Sequence, residues 1–233
     1  MPFLRESTKS MTTALVSTPS RQVQDFLDRR KAEQVSRPRV IFALDATMSR
    51  QATWDRAANL QAELFNAAGR GIDVQLIYFR GVSECSASAW LQDSRRLAAL
   101  MSKIDCRAGH TQISRVLTHA QREADKGGIR ALVYVGDAFE ENIGRVGEQA
   151  AALGSKNVPI FMFIEGSDET ATAAFREIAK LSNGISARFD AGSAKQLAEL
   201  LRTVGKFISS SDTRLALSHA REALRESKIQ LLG

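Results

Sequence analysis

Asp45, Thr47 and Ser49 stand at alternating positions in the short stretch D-A-T-M-S. Alternate residues of an extended segment point to the same side, so one carboxylate and two hydroxyls would face a common point. Hard divalent cations require such oxygens, and magnesium takes six close to octahedrally, usually with waters among them. Two further residues complete the set: Thr111, in G-H-T-Q-I just before an expected helix, and Asp137, which ends the apolar run ALVYVG. Together the five would hold Mg2+ or Mn2+ and leave positions for water or an incoming ligand. A plainer role stays open for Thr47 and Ser49, which could equally cap the helix that follows them.

These side chains meet only if the fold brings positions 45, 111 and 137 together. The run RVIFAL at 39–44 lacks polar alternation, as expected of a strand covered on both faces in a parallel sheet. Ala57, Leu60, Leu64 and Phe65 recur at helical spacing and predict a helix over 51–68; Gly69 and Gly71 punctuate the turn into a strand at 72–79. Residues 81–90 read as a short edge strand or hairpin arm. Helices at 93–104, 112–125, 143–153, 168–181 and 193–208 then alternate with strands at 131–135, 159–164 and 186–189. The pattern predicts an α/β fold: a doubly wound, mostly parallel six-stranded sheet, Rossmann-like, flanked by helices. Around a domain at 37–208 lie a disordered lead-in at 1–19 (with Met11 an alternative start), an N-terminal helix segment at 20–36 and a C-terminal helix segment at 209–233. In open sheets of this kind ligands bind beyond the carboxyl ends of strands where the winding reverses. The first strand ends at Asp45 and the fourth at Asp137. If the chain winds outward from the first strand and back across it, both carboxylates face one crevice.

D-x-T-x-S after the first strand, G-x-T at the third helix and an Asp closing the fourth strand resemble the metal-ion-dependent adhesion site, or MIDAS, of von Willebrand factor type A (VWA) domains. The tail RFDAGSAKQLAELLRTV at 188–204 is similar to the last strand and helix of that family. The likeness covers 37–208 and departs at Thr47, where serine is commoner, and at His110, where a small residue often stands. It implies Asp45, Thr47, Ser49, Thr111 and Asp137 as metal ligands. It also implies a bacterial, intracellular, non-enzymatic adaptor or scaffold whose partner completes the coordination sphere with an Asp or Glu. Cytoplasmic members of this kind often work with ATPases or in stress-response and metal-related operons, so an ATPase or an operon-encoded complex is the implied class of partner.

His110, Trp54 and Glu140 are the expected contacts to that partner. Each has a simpler alternative: a loop histidine, a core or rim aromatic, and, with Glu141, a solvated charge favoured at a helix start by the macrodipole. His119 and His219 fall on helices without carboxylate or cysteine neighbours, so no zinc spacing forms. Cys85 and Cys106 give no metal spacing either and read as reduced thiols, a single disulfide being the alternative.

Composition narrows the function classes. With 44% hydrophobic and 25% charged residues, the 233-residue chain fits one globular domain with extensions. No apolar run reaches the roughly 18–20 residues of a membrane span, and the first twenty residues lack a signal-like apolar core, so the expected location is cytoplasmic. The formal charge is +6, but residues 1–40 carry eight Lys/Arg against four acids while 41–210 carry twenty against nineteen. A nucleic-acid binder should show its basic patch on the folded body, so an adaptor using the basic N-terminal arm on nucleic acid is only an alternative. The other alternative is a metal-dependent phosphatase or hydrolase with Asp45 as nucleophile. That chemistry usually needs a second carboxylate two residues on as acid/base, and position 47 is threonine.

Overall fold

The computed structural model describes residues 37–47, 51–69, 71–190, 193–227 and 229–233. The expected lead-in and the helix segment at 20–36 lie outside the described residues. From Val40 to Leu44 every side chain of β1 (Arg39–Asp45) is 0% exposed. Val40, Phe42 and Leu44 pack into one apolar layer, while Ile41 and Ala43 pack into the other. This is the alternation a pleated strand imposes, with both faces apolar because both are covered.

β1 pairs in parallel with β2 (Asp73–Arg80) on one side and β4 (Ile129–Gly136) on the other. The sheet continues through β5 (Ile160–Glu165) and β6 (Ile185–Phe189), also parallel. Its two edges, β3 (Glu84–Ala87) and β7 (Gln230–Leu231), run antiparallel, giving the order β3-β2-β1-β4-β5-β6-β7. One layer is built from α1 (Gln51–Leu60), α2 (Ala62–Ala68), α3 (Ser94–Met101), α7 (Ala194–Ser209) and α8 (Thr213–Glu226). The opposite layer holds α4 (Ile113–Asp125), α5 (Ile143–Ser155) and α6 (Glu169–Leu181). The winding reverses at β1, between β2 and β4.

The doubly wound α/β architecture expected from the sequence is present, with three differences in detail. The helix expected over 51–68 is divided at Gln61, whose carbonyl accepts from Leu64 three residues on (3.2 Å) and tightens the turn. The sheet has seven strands instead of six, because the chain after α8 returns to pair with β6. Leu232 N donates to Ser186 O, and Ser186 Oγ donates to Leu232 O, both at 3.0 Å. The C-terminal segment therefore packs into the same unit as the rest of 37–233, with Ala216, Ala220 and Leu224 inside the first layer.

α7 can approach α2 closely because position 205 has no side chain. A Cβ there would lie 2.6 Å from Leu64 O and 2.7 Å from Ala67 Cβ. Gly205→Ala should destabilise the fold by about 1–3 kcal/mol through overpacking, outweighing alanine's intrinsic helical advantage of about 1 kcal/mol. Urea unfolding checks this: the midpoint should fall with the slope unchanged, and a raised midpoint would show that the two helices are free to separate.

Candidate functional site

β1 runs out at Asp45, which is 1% exposed. Leu44 is paired with Val135, so Asp45 comes level with Gly136, the last residue of β4, and Asp137 follows immediately. Thr47 N donates to Asp45 Oδ1 at 2.8 Å, an Asx-type bond that turns the chain sharply at the strand end. Ala46 N still reaches Phe79 O at 3.0 Å, which holds that turn against β2. Thr47 and Thr111 are both buried and Asp137 is half-buried. Ser49 lies outside the described residues.

The loop ahead of α4 is tied to this turn from several sides. Arg107 N donates to Ala46 O at 3.0 Å, and Cys106 N donates to Gln51 Oε1 at 3.3 Å. His110 N reaches Gly81 O at 3.2 Å, and a Cβ on Gly109 would lie 2.3 Å from Gly81 N, so glycine at 109 lets the two backbones touch. Thr111 is then clamped to the loop after β4. Its N–H donates to Glu140 Oε2 at 3.0 Å, and Glu140 N donates back to Thr111 Oγ1 at 3.1 Å. His110 joins from the rim, its Nδ1 3.3 Å from Glu140 Oε2. His110, Thr111 and Glu140, three residues singled out in the sequence, thus form one cluster.

Glu140 and Glu141 do not serve the helix that follows them. Asn142 caps α5, accepting from Arg145 N at 3.0 Å. The Glu141 carboxylate instead reaches across to α4 and accepts from Ile113 N at 2.5 Å and Ser114 N at 2.9 Å. It supplies those two first-turn N–H groups with an acceptor from another element, and its charge suits the positive end of the helix. Burial pushes the Glu141 carboxyl above its ordinary value, with the two backbone N–H groups pulling the other way. The sequence signal was present as two adjacent acids three and four residues after Asp137, but a cap contributed from a distant loop carries no local signature.

Trp54 is not at the rim. It is 1% exposed, its Nε1 donates to Met101 O at 3.0 Å, and its ring meets Tyr78 edge-on at 6.3 Å. A partner has no access to it; helical phase turns Trp54 inward with Ala57, so the core alternative holds. Its neighbour Thr53 donates to Glu165 Oε2, and Arg56 Nη2 lies 3.4 Å from Glu165 Oε1. Glu165 closes β5 and is buried, so this charged bond fastens α1 to the carboxyl edge of the sheet.

The available donors are oxygens. Among the described residues no three His, Cys, Asp or Glu converge on a point that could hold a metal. A cation at this crevice would rely on the Asp45 and Asp137 carboxylates with the Thr47 and Thr111 hydroxyls, a set that fits a small hard ion and not a thiophilic one. The Thr111 hydroxyl spends one lone pair on Glu140 N, leaving another for the crevice. His119 bonds Gln75 at 2.8 Å and is held below the usual histidine range by burial. Both cysteines are free, and burial pushes the Cys85 thiol up to about 11. No described helix is long and apolar enough to cross a membrane.

No protein-family model matches the chain, and no curated protein does. Solved structures do. A von Willebrand factor type A protein from Catenulispora acidiphila superposes with a TM-score of 0.61 at 16% identity, over 75% of this chain and 43% of that one. The SpRpn10 VWA domain gives 0.54 at 13% identity, over 72% of this chain and 97% of that one. Proximal thread matrix protein 1 from the mussel byssus, solved with a zinc-occupied MIDAS motif, gives 0.55 at 16%, over 74% and 46%. The chain therefore spans less than half of the first and third of these proteins, and nearly all of the second. At such identities the likeness is one of fold: this chain adopts the fold of the von Willebrand factor type A domains.

Proposed function

We propose that this protein is a metal-dependent adaptor or scaffold, in which Asp45, Thr47, Ser49, Thr111 and Asp137 hold Mg2+ or Mn2+ for binding an acidic residue of a partner protein. The observation that carries this reading is the buried Asp45 at the end of β1, beside the end of β4, with the Thr111 loop tied back to both strand ends. A divalent cation so held offers an open coordination position to an anionic oxygen. The chain's own part is to fix the donors in advance. Thr47 N orients one Asp45 oxygen, and Glu140 orients Thr111 through both its backbone and its hydroxyl. His110 and Glu140 stand exposed beside the crevice, where a partner would first make contact. The mussel protein with a zinc-occupied MIDAS supports divalent-metal binding on this fold, and an intracellular bacterial setting with an ATPase or operon-encoded partner is part of the same proposal.

The hydrolase alternative lacks an acid at the position that usually serves as acid/base. Position 47 is threonine, and the nearby Glu140 and Glu141 carboxylates already accept backbone N–H bonds from Thr111, Ile113 and Ser114. That chemistry supports the reading of a protein that binds without catalysing.

Magnesium titrated against the folded protein should raise its melting temperature, by the equivalent of about 2.7 kcal/mol at one hundred times Kd. Asp45→Ala should remove the rise, and identical shifts in wild type and variant would overturn the metal assignment. For a partner, calorimetry on wild type and Thr111→Ala, each with magnesium and with chelator, should show tight binding only for wild type with metal. Combining mutation and chelator should cost little more than either alone, since both break one interaction. Equal affinity in all four conditions would place the partner on another surface. Hydrolysis of p-nitrophenyl phosphate should stay at background with magnesium or manganese; turnover that vanishes in Asp45→Ala would instead establish the phosphatase.

A further inference from the structure

We propose that a second site, at the opposite end of the sheet from Asp45, binds a small multiply phosphorylated anion. A cleft of about 890 Å3 opens where α6 and α8 meet the amino end of β6 and the β7 edge. Arg176 and Lys180 line it from α6, and Arg214, Arg221 and Arg225 line it from α8. The acid in the lining is Glu177. Two of the five cations have local duties. Arg221 Nη2 donates to Gly184 O at 3.0 Å, and Lys180 sits in the last turn of α6, where the helix's negative end favours it.

The other three have none beyond the place of Arg225 in the last turn of α8, which that helix's negative end favours as it does Lys180 in α6. Among the described residues the side chains of Arg176, Arg214 and Arg225 make no hydrogen bond or ion pair, and all three are exposed. Arg214 lies in the first turn of α8, where the positive end of a helix disfavours a cation. Gathering like charges in one concavity raises the folded state's free energy unless an anion offsets them. Guanidinium groups match phosphate oxygens two at a time, and the volume lies in the range of small-molecule sites. Among the described residues no aromatic side chain lines the cleft, which thus offers no stacking platform of the kind a nucleic-acid base requires. An extended acidic peptide spaces same-side carboxylates roughly 6–7 Å apart, too sparsely to meet five cations in one cavity. Oligophosphate concentrates its charge, and fits.

The test is calorimetry with sodium tripolyphosphate in chelator, on the full chain. Wild type and Asp45→Ala should bind equally. Arg214→Gln/Arg225→Gln should lose about tenfold or more in affinity while its melting temperature without ligand does not fall, since both residues are exposed and removing like charges relieves repulsion. Vesicles of phosphatidylcholine with phosphatidylinositol bisphosphate separate the sources: co-sedimentation lost in the double variant assigns a headgroup, and its absence beside tripolyphosphate binding assigns a free phosphate. No binding of either, or equal binding by the double variant, would overturn the proposal. So would tighter binding of a duplex oligonucleotide or a polyglutamate peptide through the same arginines. Binding lost in Asp45→Ala but kept in the double variant would move the phosphate to the first crevice, against this proposal.

Discussion

Burial of β1 on both faces is the constraint from which the other features follow. A strand with no exposed side chain between Val40 and Leu44 must lie centrally, with a helical layer above and below. A central parallel strand needs crossovers to reach its neighbours, and right-handed crossovers on either side of β1 leave a crevice where their directions diverge. The first polar side chain after the apolar run falls at the mouth of that crevice. Asp45 is buried there because the run before it is continuous, and a buried carboxylate is costly unless bonded or neutralised. Thr47 N meets part of that requirement through Oδ1.

The crevice is held by exchange between loops more than by any single element. The loop before α4 hangs from the β1 turn through Arg107, from Gln51 at the start of α1 through Cys106, from the β2–β3 turn through His110, and from the loop after β4 through Thr111 and Glu140. Glu141 adds the cap on α4, so the start of that helix and the Thr111 hydroxyl are both bonded to the loop after β4. Binding side chains gain from such support, because a donor fixed in advance loses less freedom when a ligand arrives. The buried Glu165 bond to Thr53 and Arg56 performs the same service for the helix that leaves Asp45.

Charge behaves differently in the chain and in the fold. Residues 37–233 hold 26 Lys/Arg and 22 Asp/Glu, a body close to neutral by count. Summed charge argues against nucleic acid, yet among the described residues α6 and α8 bring five cations around one cleft against one acidic side chain. A count has no positions, and electrostatic recognition depends on them.

The sequence by itself determined the alternation of strands and helices, the central rank of RVIFAL, and the oxygen residues at 45, 47, 111 and 137. These are written in periodicity, in turn residues and in side-chain type, which act over a few neighbouring positions. Edge strand β3 was legible for the same reason. Tertiary structure alone decided the pairing of Gln230–Leu231 with β6, since two residues carry no period and gain strand geometry only from a partner 44 residues away in sequence, as the Leu231–Ala187 pair shows. It decided that Trp54 faces inward, because helical phase offers several faces and only the packed α3 layer selects one. It also redirected Glu140 and Glu141 from their own helix to α4, and assembled the basic cleft from two helices far apart in the chain. Local physics writes elements into a sequence, whereas contacts between them are fixed by shape and burial that only the closed chain possesses.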